Sequence, residues 1–295
     1  MNNLKVMILG SNGAIGSFLG RIFSTSGYTV YGIDKQNSGN YASYSKIDLL
    51  NPISNIDGLF NGVDVIIFSL PEMVAIKALP WVLSAINNNT LIVSTCSVQE
   101  PFYSSLKSIS PQQPFIGINP MFSPSLQEKN RPVILIVENM HSEHQLIELV
   151  LNKSQMHITK MLPEEHDKIM ALCQVLPHAV ILIFGLVLKS NLIDINVLYN
   201  VMPPPMRTML ALLSRILLNS KEIYWDIQYE NYMAVEIRKN ILNEISLLDS
   251  IIQSGDKMKF NDSLDEIKLK LEKLIYTSHT DCQYIFQYLN NDKKE

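Results

Sequence analysis

Cysteine and tryptophan are scarce in this chain, with three and two residues among 295. Cys96, Cys173 and Cys282 are scattered, odd in number and form no C-x-x-C pair. That excludes a disulfide framework and a thiol-based zinc or redox centre, so no metal site is expected. Free thiols of this kind suit a cytoplasmic protein. An excess of one charge sign is also lacking. The net charge of −4 and the charged fraction of 18% give no electrostatic case for nucleic acid or an acidic membrane surface as partner. There are no repeats or low-complexity segments, and the chain runs straight into its first apolar stretch, so no signal peptide is expected. Apolar residues are plentiful at 47%, and 295 residues have room for two domains.

One apolar run is long. Ile169 to Leu188 is twenty mostly apolar residues, the length of a bilayer span. Gln174, Pro177 and His178 interrupt it, and Glu164-Glu165-His166-Asp167 flanks it. A buried helix at a domain or subunit centre is the better reading.

The chain is organised around Lys5-Val6-Met7-Ile8-Leu9-Gly10-Ser11-Asn12-Gly13-Ala14-Ile15-Gly16. An apolar run ends in a glycine-rich turn, and Phe18, Leu19, Ile22 and Phe23 continue at helical spacing. A second apolar run, Tyr28 to Ile33, closes on Asp34, eighteen residues past Gly16. This order of strand, turn, helix, strand and acid is the layout of a dinucleotide-binding βαβ unit. Gly10 allows the tight turn, and Gly13 lets the N–H groups around Asn12, Ala14 and Ile15 approach a pyrophosphate. Gly16 lets the helix pack closely on the sheet. Asp34 would accept hydrogen bonds from the adenosine ribose and repel a 2′-phosphate, which favours NAD over NADP.

Val63 to Ser69 reads as a buried parallel strand that stops at Leu70-Pro71. Open α/β sheets place ligands at such carboxyl ends, so Ser69, Leu70 and Pro71 join the expected cofactor site. A helix follows to about Ile86. Thr90 to Val93 runs into Ser94-Thr95-Cys96-Ser97-Val98-Gln99, and Phe115 to Ile118 runs into Asn119-Pro120-Met121-Phe122. A strand over Val133–Val137, a helix from about Ser142 to Leu151 and a strand near His157 complete this part. From Glu164 onward strand patterns vanish. Helices are expected over 164–190, 192–200, 205–219, 221–253 and 257–289, the last two separated by Ser254-Gly255-Asp256. The stripe Phe260, Leu264, Ile267, Leu271 and Leu274 reads as core or dimer seam. The expected architecture is an α/β Rossmann-type domain over 1–162, then an all-helical substrate-binding and dimerisation domain over 163–295.

Several segments together resemble the prephenate/arogenate dehydrogenase family. Glu165-His166-Asp167, followed by a long helix carrying Gln174 and His178, is similar to the family's E-H-D segment and the helix after it. Gly117-Ile118-Asn119-Pro120-Met121-Phe122 is similar to its G-x-H-P-M-F loop, and Ser97-Val98 to its S-V-K. Arg207 and Arg215 keep the family's eight-residue spacing, and Tyr224 to Asn231 and Gly255-Asp256-Lys257 also match. The resemblance spans nearly the whole chain, and the mutase or regulatory modules of some members are not expected. It implies NAD-dependent oxidative decarboxylation of a cyclohexadiene dicarboxylate. Hydride leaves ring carbon C4, the carboxylate on C1 leaves as CO2, and the ring becomes aromatic. It also implies a homodimer joined through the helical domain.

By the resemblance, Arg215 would clamp the ring carboxylate, with a salt bridge as its plainer alternative. Arg207 would assist, or simply orient its helix. Ser97 would hydrogen-bond near the C4 substituent or the nicotinamide. His178 would face the site, although a lone histidine on an apolar helix is often a core residue. His166 is read as bracing its helix start. Gln99 and Asn219 stand where the family carries lysine and, often, glutamine, and they are kept as substrate contacts.

One departure bears on the chemistry. The family histidine that takes the C4 hydroxyl proton is Asn119 here, and an amide is no base near neutral pH. The acid three residues before the serine is Ser94. A C4 hydroxyl needs a base as hydride leaves, whereas the lone pair of a neutral C4 amine expels hydride unaided. The expected substrate is therefore 4-amino-4-deoxyprephenate, and the product 4-aminophenylpyruvate. Two alternatives stand beside it: a prephenate or arogenate dehydrogenase with a weakened base, and an inactive NAD-binding paralogue.

Overall fold

The computed structural model describes residues 4–36, 41, 43–51, 58–124, 126–137 and 144–291. The chain divides into two compact units, Met1–Met170 with Trp225–Tyr232, and Ala171–Tyr224 with Met233–Glu295. The first therefore extends past residue 162 and takes back a short segment from the helical region.

In the first unit, β1 (Lys5–Leu9), α1 (Ala14–Thr25) and β2 (Thr29–Asp34) form the opening βαβ. Then come β3 (Ser43–Lys46), β4 (Val65–Phe68), α2 (Glu72–Ser84), β5 (Leu91–Ser94) and α3 (Glu100–Ile109). β6 (Phe115–Pro120), β7 (Pro132–Ile136), α4 (His144–Lys153), β8 (His157–Met161) and α5 (Pro163–Met170) complete it. The eight strands form one sheet in the order β3-β2-β1-β4-β5-β6-β7-β8. All pairings are parallel except β6 with β7.

Strand alternation sends side chains to two covered faces. Val6 and Ile8 pack with Phe18, Leu19 and Ile22 of α1 and with Ile147 and Val150 of α4. Met7 and Leu9 pack with Ala75 and Leu79 of α2 and with Phe102 and Leu106 of α3. Burial on both faces explains why the central strands read as unbroken apolar runs. β3, in the polar Lys35–Lys46 stretch, had no such pattern because it is an edge strand paired only with β2. α3 buries only Phe102 and Leu106, too few to show a period. The expected helix start at Ser142 lies outside the described residues.

The second unit is helical. A π turn, Ala171–Val175, leads into α6 (Leu176–Ser190), then α7 (Ile195–Val201), α8 (Pro204–Leu218) and α9 (Lys221–Tyr229), whose residues from Trp225 on belong to the first unit. α10 (Ala234–Ser254), α11 (Lys257–Leu271) and α12 (Leu274–Asn291) follow. Two expected long helices are interrupted. The expected 164–190 helix forms as one stretch, Pro163–Ser190, with the π turn inside it, whereas 221–253 divides where Asn231 turns inward and donates to the Asp167 carbonyl (2.8 Å). The 257–289 helix divides at Glu272, whose φ of +46° ends α11. The stop at Ser254-Gly255-Asp256 forms as expected: Gly255 adopts φ +70°, and Asp256 accepts the Lys259 N–H.

One core cluster of this unit is built on Ile181, Leu213 and Ile216, with Gly185 letting Leu213 approach α6, and Val175, Ala234, Ile237 and Ile241 are buried besides. Many apolar side chains stay exposed, Leu186 and Val187 among them at 62% and 60%. Among the described residues, only the helical stretch Pro163–Ser190 is long and apolar enough to cross a membrane; 22% of its apolar window is buried.

Candidate active site

The glycine turn after β1 is built for close approach. Gly10 has φ +81°, and a Cβ there would lie 2.1 Å from the Ser69 carbonyl oxygen. A Cβ on Gly16 would lie 2.2 Å from the Gly10 carbonyl. Both positions exclude any side chain. Leu70 also touches Gly10, and Pro71 precedes α2, so the ends of β1 and β4 meet as expected. Gly13 and Ala14 are exposed, which leaves the N–H groups at the start of α1 open to an anion, with no acidic residue in that first turn. Ile15 packs against the core below. Asp34 accepts the Asn12 N–H (3.0 Å) on Oδ2 and the Gln36 N–H (3.2 Å) on Oδ1. A carboxylate has about four acceptor positions, so both oxygens can still take ribose hydroxyls. These residues fit a dinucleotide.

At the carboxyl end of β6 the first unit holds a buried polar chain. Asp167 Oδ1 lies 2.7 Å from His166 Nδ1, and His166 Nε2 lies 2.9 Å from Asn119 Nδ2. His166 and Asp167 are fully buried, and Asn119 is 6% exposed. Asp167 also accepts the N–H groups of Gln99 and Glu100 (both 2.9 Å), which caps α3 from a distant part of the chain. The Asn119 amide reaches Met170 Sδ at 3.5 Å. Ser97 is half-buried in the loop after β5. Gln99 is not placed as a substrate contact. Its side chain is wholly buried and donates to the Cys96 carbonyl (2.6 Å).

In the second unit, His178 stacks edge-on against Tyr224, with ring centroids 5.0 Å apart. Burial, and then the Arg215 charge, holds His178 below the usual imidazole range, so it is neutral near pH 7. Its Nδ1 and the Oε1 of Gln174 are buried without hydrogen-bond partners among the described residues. Asn219 donates to the Tyr224 hydroxyl (3.2 Å), and Arg215 is exposed in the last turn of α8. Arg207 donates to the Leu289 carbonyl of α12.

Residues 162–266 match the family model described as prephenate dehydrogenase, dimerization domain. A 4-amino-4-deoxyprephenate dehydrogenase of Streptomyces pristinaespiralis is 28% identical over 90% of both chains. A probable arogenate/prephenate dehydrogenase of Methanocaldococcus jannaschii is 24% identical over 88% of this chain, which spans 59% of that longer protein. The crystal structure of A. aeolicus prephenate dehydrogenase, in complex with hydroxyphenyl propionate and NAD+, superposes with a TM-score of 0.69. It covers 92% of this chain and 98% of that one, at 18% identity.

The chain thus carries a prephenate dehydrogenase dimerization domain and is similar over most of its length to prephenate- and arogenate-type dehydrogenases.

The family's enzymes are NAD-dependent oxidoreductases, and its Rossmann-plus-helical fold is the one seen here. In this family frame, the motif positions Ser97, Asn119, His166 and Asp167 all fall in the first unit, and His178, Arg207 and Arg215 in the second. The contact between His166 and Asn119 was not foreseen. Its trace in the sequence is Glu165-His166-Asp167 itself, a histidine beside a carboxylate that can fix its tautomer.

Proposed function

We propose that this protein is an NAD-dependent enzyme that converts 4-amino-4-deoxyprephenate to 4-aminophenylpyruvate and CO2, acting as a cytoplasmic homodimer. The observation that carries the reading is Asn119, an amide where the family's base belongs, with its NH2 group held against His166. The named activity of the streptomycete relative supports it.

NAD, when bound, supplies the hydride acceptor. The chain's own residues bind and orient. Arg215 holds the ring carboxylate, and Ser97 hydrogen-bonds beside C4. Asn119 Oδ1 accepts an N–H of the C4 amine and leaves the nitrogen lone pair free to expel hydride. Decarboxylation then returns the electrons to the ring and gives a neutral arylamine, so no side chain has to take a proton. His178 and the other helical residues pack around the pyruvyl arm. The exposed apolar faces of the second unit form the dimer contact, in keeping with the matched dimerization domain. Neither nucleic acid nor a membrane is part of this picture.

Prephenate is the second reading, favoured by neutral His178 with its unpartnered Nδ1, which a water could link to the C4 hydroxyl. Asn119→His tests the choice. An imidazole at that position would donate to His166 and present its second nitrogen as a base, so prephenate turnover should rise by about tenfold or more. A general base typically contributes about 10²–10⁴-fold. Unchanged prephenate turnover in that variant would count against the reading.

A further inference from the structure

We infer that His166, locked by Asp167, is a positioning residue that decides which atom of the Asn119 amide faces the C4 substituent. An ionised carboxylate can only accept. Asp167 takes the Gln99 and Glu100 N–H groups and the proton on His166 Nδ1. In the neutral ring Nε2 of His166 is then a lone pair, and the group 2.9 Å away is a donor. Only the NH2 end of Asn119 qualifies. Met170 Sδ, a second weak acceptor at 3.5 Å, favours the same orientation. The reversed amide would set Oδ1 against two lone-pair atoms inside a buried site, which is costly. The carbonyl oxygen is therefore the end left for a ligand.

The orientation matters because the two ends of the amide act oppositely on a C4 amine. A carbonyl accepts an amine N–H and leaves the lone pair available. An NH2 group would donate to that lone pair and withdraw the electrons that expel hydride. His166 thus acts through Asn119 without touching the substrate. The inference rests on the amine reading for its chemical consequence, but not for the coupling of the two residues.

A double-mutant cycle on the full-length enzyme tests it, with His166→Leu, Asn119→Ala and the double variant. In the otherwise wild-type enzyme His166→Leu should lower kcat by about tenfold with KM for the dienyl acid nearly unchanged. In the Asn119→Ala background the same change should alter kcat by less than about twofold. His166→Gln, which keeps an acceptor, should restore most of kcat and gives a second cycle if the leucine variant does not fold. Equal losses in both backgrounds, or no rescue by glutamine, would overturn the positioning role. The cycle is read on whichever dienyl acid the wild type turns over. A wild type that prefers prephenate would contradict the substrate reading, whereas additive losses on the amino substrate would contradict only the inference about His166.

Discussion

Asn119 and Asp34 are two side chains whose chemistry narrows the choice of substrate and cofactor, each by what it cannot do. Asn119 cannot take a proton, and Asp34 cannot tolerate a 2′-phosphate beside it. Asp34→Ser should therefore lower kcat/KM for NAD by about tenfold and narrow the preference over NADP, measured with both cofactors at a fixed substrate concentration. Arg215→Lys should raise KM for the dienyl acid by about tenfold, since an ammonium cannot make the bidentate carboxylate contact. An unchanged KM would remove Arg215 from the site. Much at this scale was legible from sequence, because the glycine turn, Asp34 and Asn119 are local patterns. What was not legible depends on distance along the chain. His166 meets Asn119 across 47 residues, and Asp167 caps α3 across 67. Gln99, where the family carries lysine, is folded into its own loop, and Arg207, at a matching position, bonds onto α12.

At the scale of elements, the ends of α2 and α3 are tied to side chains from later in the sequence. Asp167 caps α3, and Asp226 accepts the Glu72 N–H at the start of α2 (3.4 Å). Glu72 is 2% exposed, and neither of its carboxyl oxygens has a hydrogen-bond partner among the described residues. Burial first, and Glu230, Asp226 and Asp167 next, push its carboxyl up to about 9. The folded protein thus keeps a proton that the unfolded chain loses above about pH 4.3. The resulting stability is complete below that value and is lost as pH rises toward 9. Glu72→Gln keeps the shape without the ionisation. It should raise Tm by about 3 °C or more at pH 8–9 and change it little near pH 5, followed by thermal melts. An equal shift at both pH values would show that ionisation is not the cause. The elements themselves were legible where burial is two-sided or a cap is local, as in β1, β4 and the Gly255 stop. β3, α3 and the break at Asn231 were not, since edge position, sparse burial and a distant carbonyl decide them.

For the molecule as a whole, the sheet unit buries its apolar residues on both faces, while the helical unit leaves many of its own uncovered. Helical patterning alone could show that these faces are apolar, but not what covers them. A second copy is the proposed cover, and sedimentation should give twice the chain mass. Leu186→Arg should shift the protein toward monomer, and a wild type already monomeric at micromolar concentration would refute the dimer. The central claim, that the C4 substituent is an amine, is tested most directly by NADH formation with NAD and, in parallel, 4-amino-4-deoxyprephenate, prephenate and arogenate. The account predicts a kcat/KM for the amino substrate at least about a hundredfold above that for prephenate, the scale of a missing general base. Equal or faster turnover of prephenate would contradict it.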